Sequence, residues 1–158
     1  MLMVLPSFAQ KQSKAEKEAA EKLAYEAALE SINNKTWVLV PDTYALSNGD
    51  FETNIDNSNF LSCEKGDCFS QGAIVCDNSF TNISTPSEYV VEVNKKGNVT
   101  LRIVVNGNYW KGTYKITMRA GNNKADVIFN PIKGTTRRFS GPIVPLAGAS
   151  YNKRANPK

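Results

Sequence analysis

From Ser87 to Leu146 the chain alternates apolar and polar residues, stops at a turn signal, and alternates again. Tyr89, Val91 and Val93 share one face of such a stretch, and Lys95-Lys96-Gly97-Asn98 turns the chain. Val99, Leu101, Ile103 and Val105 follow, ending at Asn106-Gly107, a strong hairpin signal. Trp110, Gly112, Tyr114, Ile116 and Met118 come next, then the turn Gly121-Asn122. Ala125, Val127 and Phe129 lead to Lys133-Gly134, and Phe139, Gly141 and Ile143 close the series before Pro145. A period of two puts every apolar residue on one side of a strand; on a helix the same residues would scatter. Short turns make neighbouring strands antiparallel. The apolar face then needs a cover, so the sheet must curl, meet a second sheet or take a helix. The expected fold is mainly β: an antiparallel meander forming a barrel or a sandwich.

The cover is available upstream. Residues 11–33 read as one helix, with a capped body over 13–33. Ser13 and Glu16 have capping-box spacing, and Asn33-Asn34 stops the helix. Ala19, Ala20, Leu23, Ala24, Ala27 and Ala28 fall on one arc and predict the face that lies against the sheet. Trp37-Val-Leu-Val40 begins the strands, and Pro41 limits that strand to an edge or an end. Residues 44–59 are polar, with a turn at Asn48-Gly49. Phe60-Leu61 starts a short strand, Phe69 to Val75 alternates as another, and Asp77 to Ser87 reads as loop. A chain of 158 residues, 41% hydrophobic, suits one domain, here residues 10–147, followed by a loose tail at 148–158.

Residues 1–9 read as the end of a signal peptide, with Leu2 to Leu5 as apolar core and Ser7-Phe8-Ala9 as a small-x-small cleavage site. Cleavage near Ala9 predicts a periplasmic or otherwise exported protein. No later apolar run approaches the roughly 20 residues of a membrane helix, so a soluble, non-spanning protein is expected. An oxidising compartment lets cysteines pair. Cys63 and Cys68 flank a Gly-containing turn and are the first-ranked disulfide, although Cys76 can replace either partner. C-x₄-C with one further Cys and no His is an incomplete zinc set, so no metal is expected.

Histidine is absent. Ser-His-Asp and Cys-His catalysis both need an imidazole, so the commonest hydrolytic routes are closed and no catalytic residue is assigned. Glu64 and Asp67 are a close acid pair, but on a turn rather than across a cleft. Asp50, Glu52, Asn54, Asp56 and Ser58 recur at every second position. The calcium-loop pattern fails, because Ile55 stands where its Gly should be and Leu61 where its closing Glu should be. From Lys111 onward ten Lys/Arg face one acid, Asp126. Lys111, Lys115 and Arg119 alternate like a solvated strand face, and an exported protein has no nucleic-acid partner to meet; an anionic glycan or lipopolysaccharide is the alternative reading. Trp110 and Tyr114 fall on the core face. Tyr109, just after Asn106-Gly107, is the candidate exposed aromatic for binding.

Asn59-Phe60-Leu61, Gly66-Asp67, Gln71, Lys95-Lys96-Gly97, Asn106-Gly107 and Ser140-Gly-Pro-Ile-Val-Pro-Leu146 resemble, in that order, the features of domain of unknown function 4251. The likeness covers about residues 20 to 155. It implies an exported Bacteroidota protein of one helix and many antiparallel strands. It brings no activity, cofactor, ligand or site residue, and Cys63 with Cys68 lies outside its pattern. The leading functional expectation is a non-catalytic module that binds a glycan, a lipid or an envelope protein. A carrier with an apolar barrel cavity is the second, and a carboxylate-dependent hydrolase the third.

Overall fold

The computed structural model describes residues 13–154. One helix, α1 (Lys14–Asn34), precedes eleven strands: β1 (Thr36–Leu39), β2 (Thr43–Ala45), β3 (Phe51–Thr53), β4 (Phe60–Glu64), β5 (Asp67–Gln71), β6 (Asn82–Ser84), β7 (Glu88–Val93), β8 (Val99–Asn106), β9 (Lys111–Met118), β10 (Lys124–Pro131) and β11 (Arg137–Pro145). The signal-peptide reading of residues 1–9 lies outside the described residues.

Ser13 caps α1 by accepting the Glu16 N–H at 3.2 Å, and Lys35 ends it in the left-handed conformation. The packed seam differs from the expected one. Residues 14–20 are exposed, Ala19 and Ala20 among them, and Leu23 is 66% exposed. The helix meets the sheet through Tyr25, Ala28, Leu29 and Ile32, spaced three and four residues apart. Alanine buries too little area to decide the matter against Tyr, Leu and Ile one step round the helix.

All strands belong to one antiparallel sheet that curls into a half-barrel, in the order β6-β5-β4-β1-β11-β10-β9-β8-β7, with the β2–β3 hairpin set against β11. β1 is central, since Trp37 pairs with Cys63 of β4 on one side and Pro145 of β11 on the other. Pro41 therefore marks its end, not an edge. In β8 to β11 the predicted inward residues are buried, from Val99 and Leu101 to Phe139 and Ile143. Lys111 and Lys115 face outward.

The hairpin expected at Asn106-Gly107 forms, on a four-residue loop, and two other local expectations are corrected. Asn106 pairs with Lys111, and Gly107 N–H donates to Trp110 O at 2.8 Å across a four-residue loop. Glycine is required there by crowding, because a Cβ would lie 2.7 Å from the Ile83 carbonyl oxygen. The strand predicted to run to Val75 stops at Gln71, where Gly72 takes φ +97° and the chain turns. The loop predicted over 77–87 contains β6, which pairs with β5 (Phe69 opposite Ile83).

The expected loose tail is tied down at residues 151–154. Gln71 Nε2 donates to Asn152 O at 2.7 Å, and Gln71 Oε1 accepts Arg154 N–H at 2.6 Å. Tyr151 packs on Phe60 with ring centroids 4.8 Å apart.

The core is filled by large side chains. Tyr114 and Phe129 stack at 4.1 Å, and Trp110 packs edge-on against Tyr114. Trp37 Nε1 donates to Tyr89 Oη at 3.0 Å, and Tyr89 Oη donates to Ile32 O at 2.5 Å. That chain links β1, β7 and α1. At the other end of the strand path, Asn106 N–H donates to Ser84 Oγ at 2.9 Å, so β6 and β8 touch.

Candidate binding cleft

In an antiparallel meander the β8–β9 and β10–β11 turns fall at the same end of the sheet. Ile132 N–H donates to Lys111 O at 3.0 Å and holds the two turns side by side. Between them and residue Asp77 opens a cleft of about 480 Å³. It is lined by buried Trp110 and Phe129, by exposed Tyr109 and Ile132, and by Lys111 and Lys133. Tyr109 is 69% exposed and Ile132 is 71% exposed. Phe80 packs perpendicular to the Tyr109 ring at 5.8 Å, which steadies the ring while leaving it largely in solvent. A recess of about 70 Å³ beside Ile83 lies against the same loop, since Asn108 and Tyr109 line both.

Charges at the cleft are unequal. Arg137 pairs with Asp77 and also donates to Ala73 O. Lys111 and Lys133 have no carboxylate within salt-bridge distance among the described residues. Beyond Arg137 a second depression of about 610 Å³ runs between the β2–β3 hairpin and Ile74, with Phe51 exposed on its rim.

The other acids singled out in the sequence are engaged elsewhere. Glu64 and Asp67 face each other across the β4–β5 turn. Glu64 is bound by Lys153 at 2.8 Å and by Ser62 Oγ, and Asp67 accepts Thr85 Oγ1 at 2.7 Å. Asp56 accepts the Ser58 N–H at 2.9 Å, and hydrogen bonds from Ser58 hold its carboxyl below the usual range. Glu52 accepts Tyr44 Oη, which raises the Tyr44 phenol. Among the described residues no three His, Cys, Asp or Glu side chains are gathered as a metal site would need.

Cys63 and Cys68 form a disulfide across β4 and β5. Cys76 is free and buried, and burial pushes its thiol up. The disulfide hairpin and Tyr109 are not brought together.

Of the cleft, the sequence marks Tyr109 for binding. Alternation makes Lys111 a solvated strand position, and Asp77 and Lys133 carry only loop and turn signals. Ile132 did leave a trace: it is an apolar residue inside a turn-forming Pro-Ile-Lys-Gly run, where alternation gives it no place in the core.

No helix among the described residues is long and apolar enough to cross a membrane. The sequence matches no protein-family model and no curated protein. Its structure is similar to the crystal structure of a DUF4251 family protein from Bacteroides eggerthii DSM 20697. The TM-score is 0.72 at 23% sequence identity, covering 85% of this chain and 99% of that one. The half-barrel with its N-terminal helix is therefore the fold of a DUF4251 family protein.

Proposed function

We propose that this chain is an exported, non-catalytic DUF4251 protein that holds a ligand in the cleft beside Tyr109. The observation that carries the reading is the joint exposure of Tyr109 and Ile132 around about 480 Å³ of concave space. Ligand sites usually have roughly 300–1,000 Å³ and apolar walls with a few polar groups. Large apolar side chains kept in water at such a cleft mark an interaction site. The Cys63–Cys68 disulfide supports export, because such bonds persist in oxidising compartments. The fold match and the ordered sequence features support the family.

A carrier with an interior cavity is less well supported. Trp110, Tyr114 and Phe129 occupy the space next to the cleft that an apolar ligand would need. The acid pair of the hydrolase reading, Glu64 and Asp67, is engaged by Lys153 and Thr85.

The test is amide NMR of the purified protein against muropeptides, neutral and acidic oligosaccharides, and laurate. Shifts are expected at residues 107–111 and 131–135, and Tyr109→Ala should weaken the responsible ligand by about tenfold. Shifts confined to other surfaces, or none with any of these probes, would overturn the reading. Intact mass of protein from the native envelope should begin near Gln10 with one disulfide. Retention of Met1 with three free thiols would sink export.

A further inference from the structure

We infer that the cleft takes an acidic carbohydrate, with a sugar ring on Tyr109 and its acid group between Lys111 and Lys133; this rests on the cleft being the binding site. The charge comes first. Asp77 is the acid of the cleft, and Arg137 neutralises it. Lys111 and Lys133 remain uncompensated among the described residues and both line the cleft, on turns joined by the Ile132 N–H to Lys111 O bond. Two uncompensated lysines lining one cleft favour an anion and disfavour a cation of the same shape.

The aromatic ring narrows the class. Tyr109 offers a broad, mostly exposed ring, steadied by Phe80 from the side. A pyranose ring has one face of C–H groups that can cover such a ring while its hydroxyls stay in water. Covering Tyr109 removes apolar area from solvent, which favours binding. The recess beside Ile83 continues past the same loop, and Asn108 and Tyr109 line both spaces. A chain of sugars can therefore pass over Tyr109 instead of ending there.

An anionic lipid shares the charge but not the shape. Its acyl chain would need to run inward from the cleft, where the Trp110 indole bonds to the Tyr114 hydroxyl at 2.8 Å and Tyr114 stacks on Phe129. That region is closed by packed side chains.

Calorimetry with oligogalacturonate, a neutral cello-oligomer of equal length, and laurate tests the assignment. Oligogalacturonate is expected to bind about tenfold or more tightly than the neutral oligomer. The advantage should fade near 1 M salt, where the screening length falls to about 3 Å. The double variant Lys111→Gln, Lys133→Gln should reduce the acidic oligomer to the neutral level, and Tyr109→Ala should weaken both. These positions are on the surface, and unchanged circular dichroism and melting will show that the variants fold. Equal binding of the two oligomers overturns the acidic class and leaves the cleft reading intact. Cleft shifts by NMR with laurate and not with sugars overturn the carbohydrate class. No probe reaching the cleft overturns both readings.

Discussion

Tyr114 connects the core to the cleft through a single oxygen. Its hydroxyl accepts the Trp110 indole N–H at 2.8 Å and donates to Val75 O at 2.8 Å. Burial pushes its phenol well above the usual range, so the group stays a neutral donor. Trp110 in turn lines the cleft. Tyr114→Phe keeps the stack on Phe129 but strands an indole N–H and a carbonyl in the interior. A loss of about 1–3 kcal/mol in urea unfolding is expected, with weaker ligand binding as Trp110 loosens. An unchanged midpoint would show that neither group depends on Tyr114. At this scale the sequence was informative wherever alternation was long: it separated inward Trp110 and Tyr114 from outward Tyr109. It was silent on Lys111 and Lys133 lining one cleft, because that placement follows from a backbone bond between two turns.

The β4–β5 hairpin is the element that carries the disulfide and the C-terminal stretch together. Phe69, next to Cys68, takes the Lys153 ammonium over its ring at 4.1 Å, and Glu64, next to Cys63, binds the same ammonium. Closing a loop of this length lowers the entropy of the unfolded chain by an amount worth about 2 kcal/mol. The double variant Cys63→Ser, Cys68→Ser should lose about that much in denaturant unfolding, with faster hydrogen exchange at residues 151–154. A loss near zero would mean that the ladder alone fixes the hairpin. The pairing was legible because the two cysteines flank a turn. The strand ends were less so. Ala73 and Val75 continue the apolar beat past Gly72, yet Val75 is buried from a loop. β6 is three residues of Asn, Ile and Ser, too short and polar to declare a strand, and is held by the edge of β5. The α1 seam departs from the expected arc for a related reason: six small or apolar residues on that arc outnumber Tyr25, Leu29 and Ile32 but bury less area.

For the molecule as a whole, closure rests on tyrosines that must stay protonated. Burial raises the Tyr89 phenol to about 12, partly offset by the hydrogen bond from Trp37. Burial and the neighbouring Glu64 carboxylate raise Tyr151 to about 12 as well. In the unfolded chain these groups titrate near 10.0. Between about pH 10 and 12 the unfolded state therefore releases protons that the folded state retains, and stability falls as pH rises. The contribution is complete below 10 and lost through 12. Thermal melts across this range should show the decline, and Tyr89→Phe should make it shallower; an equally steep decline in the variant would assign it to other groups. Barrel and sandwich could not be separated in the sequence. The choice depends on β1 lying between β4 and β11, which no local pattern encodes. That placement has a consequence for biosynthesis. A polypeptide emerging N-terminus first presents α1 and β1 long before β11, the neighbour of both, has been delivered. Trp37 then waits with half its ladder unmade, and the last strand to appear is the one that locks the first in place.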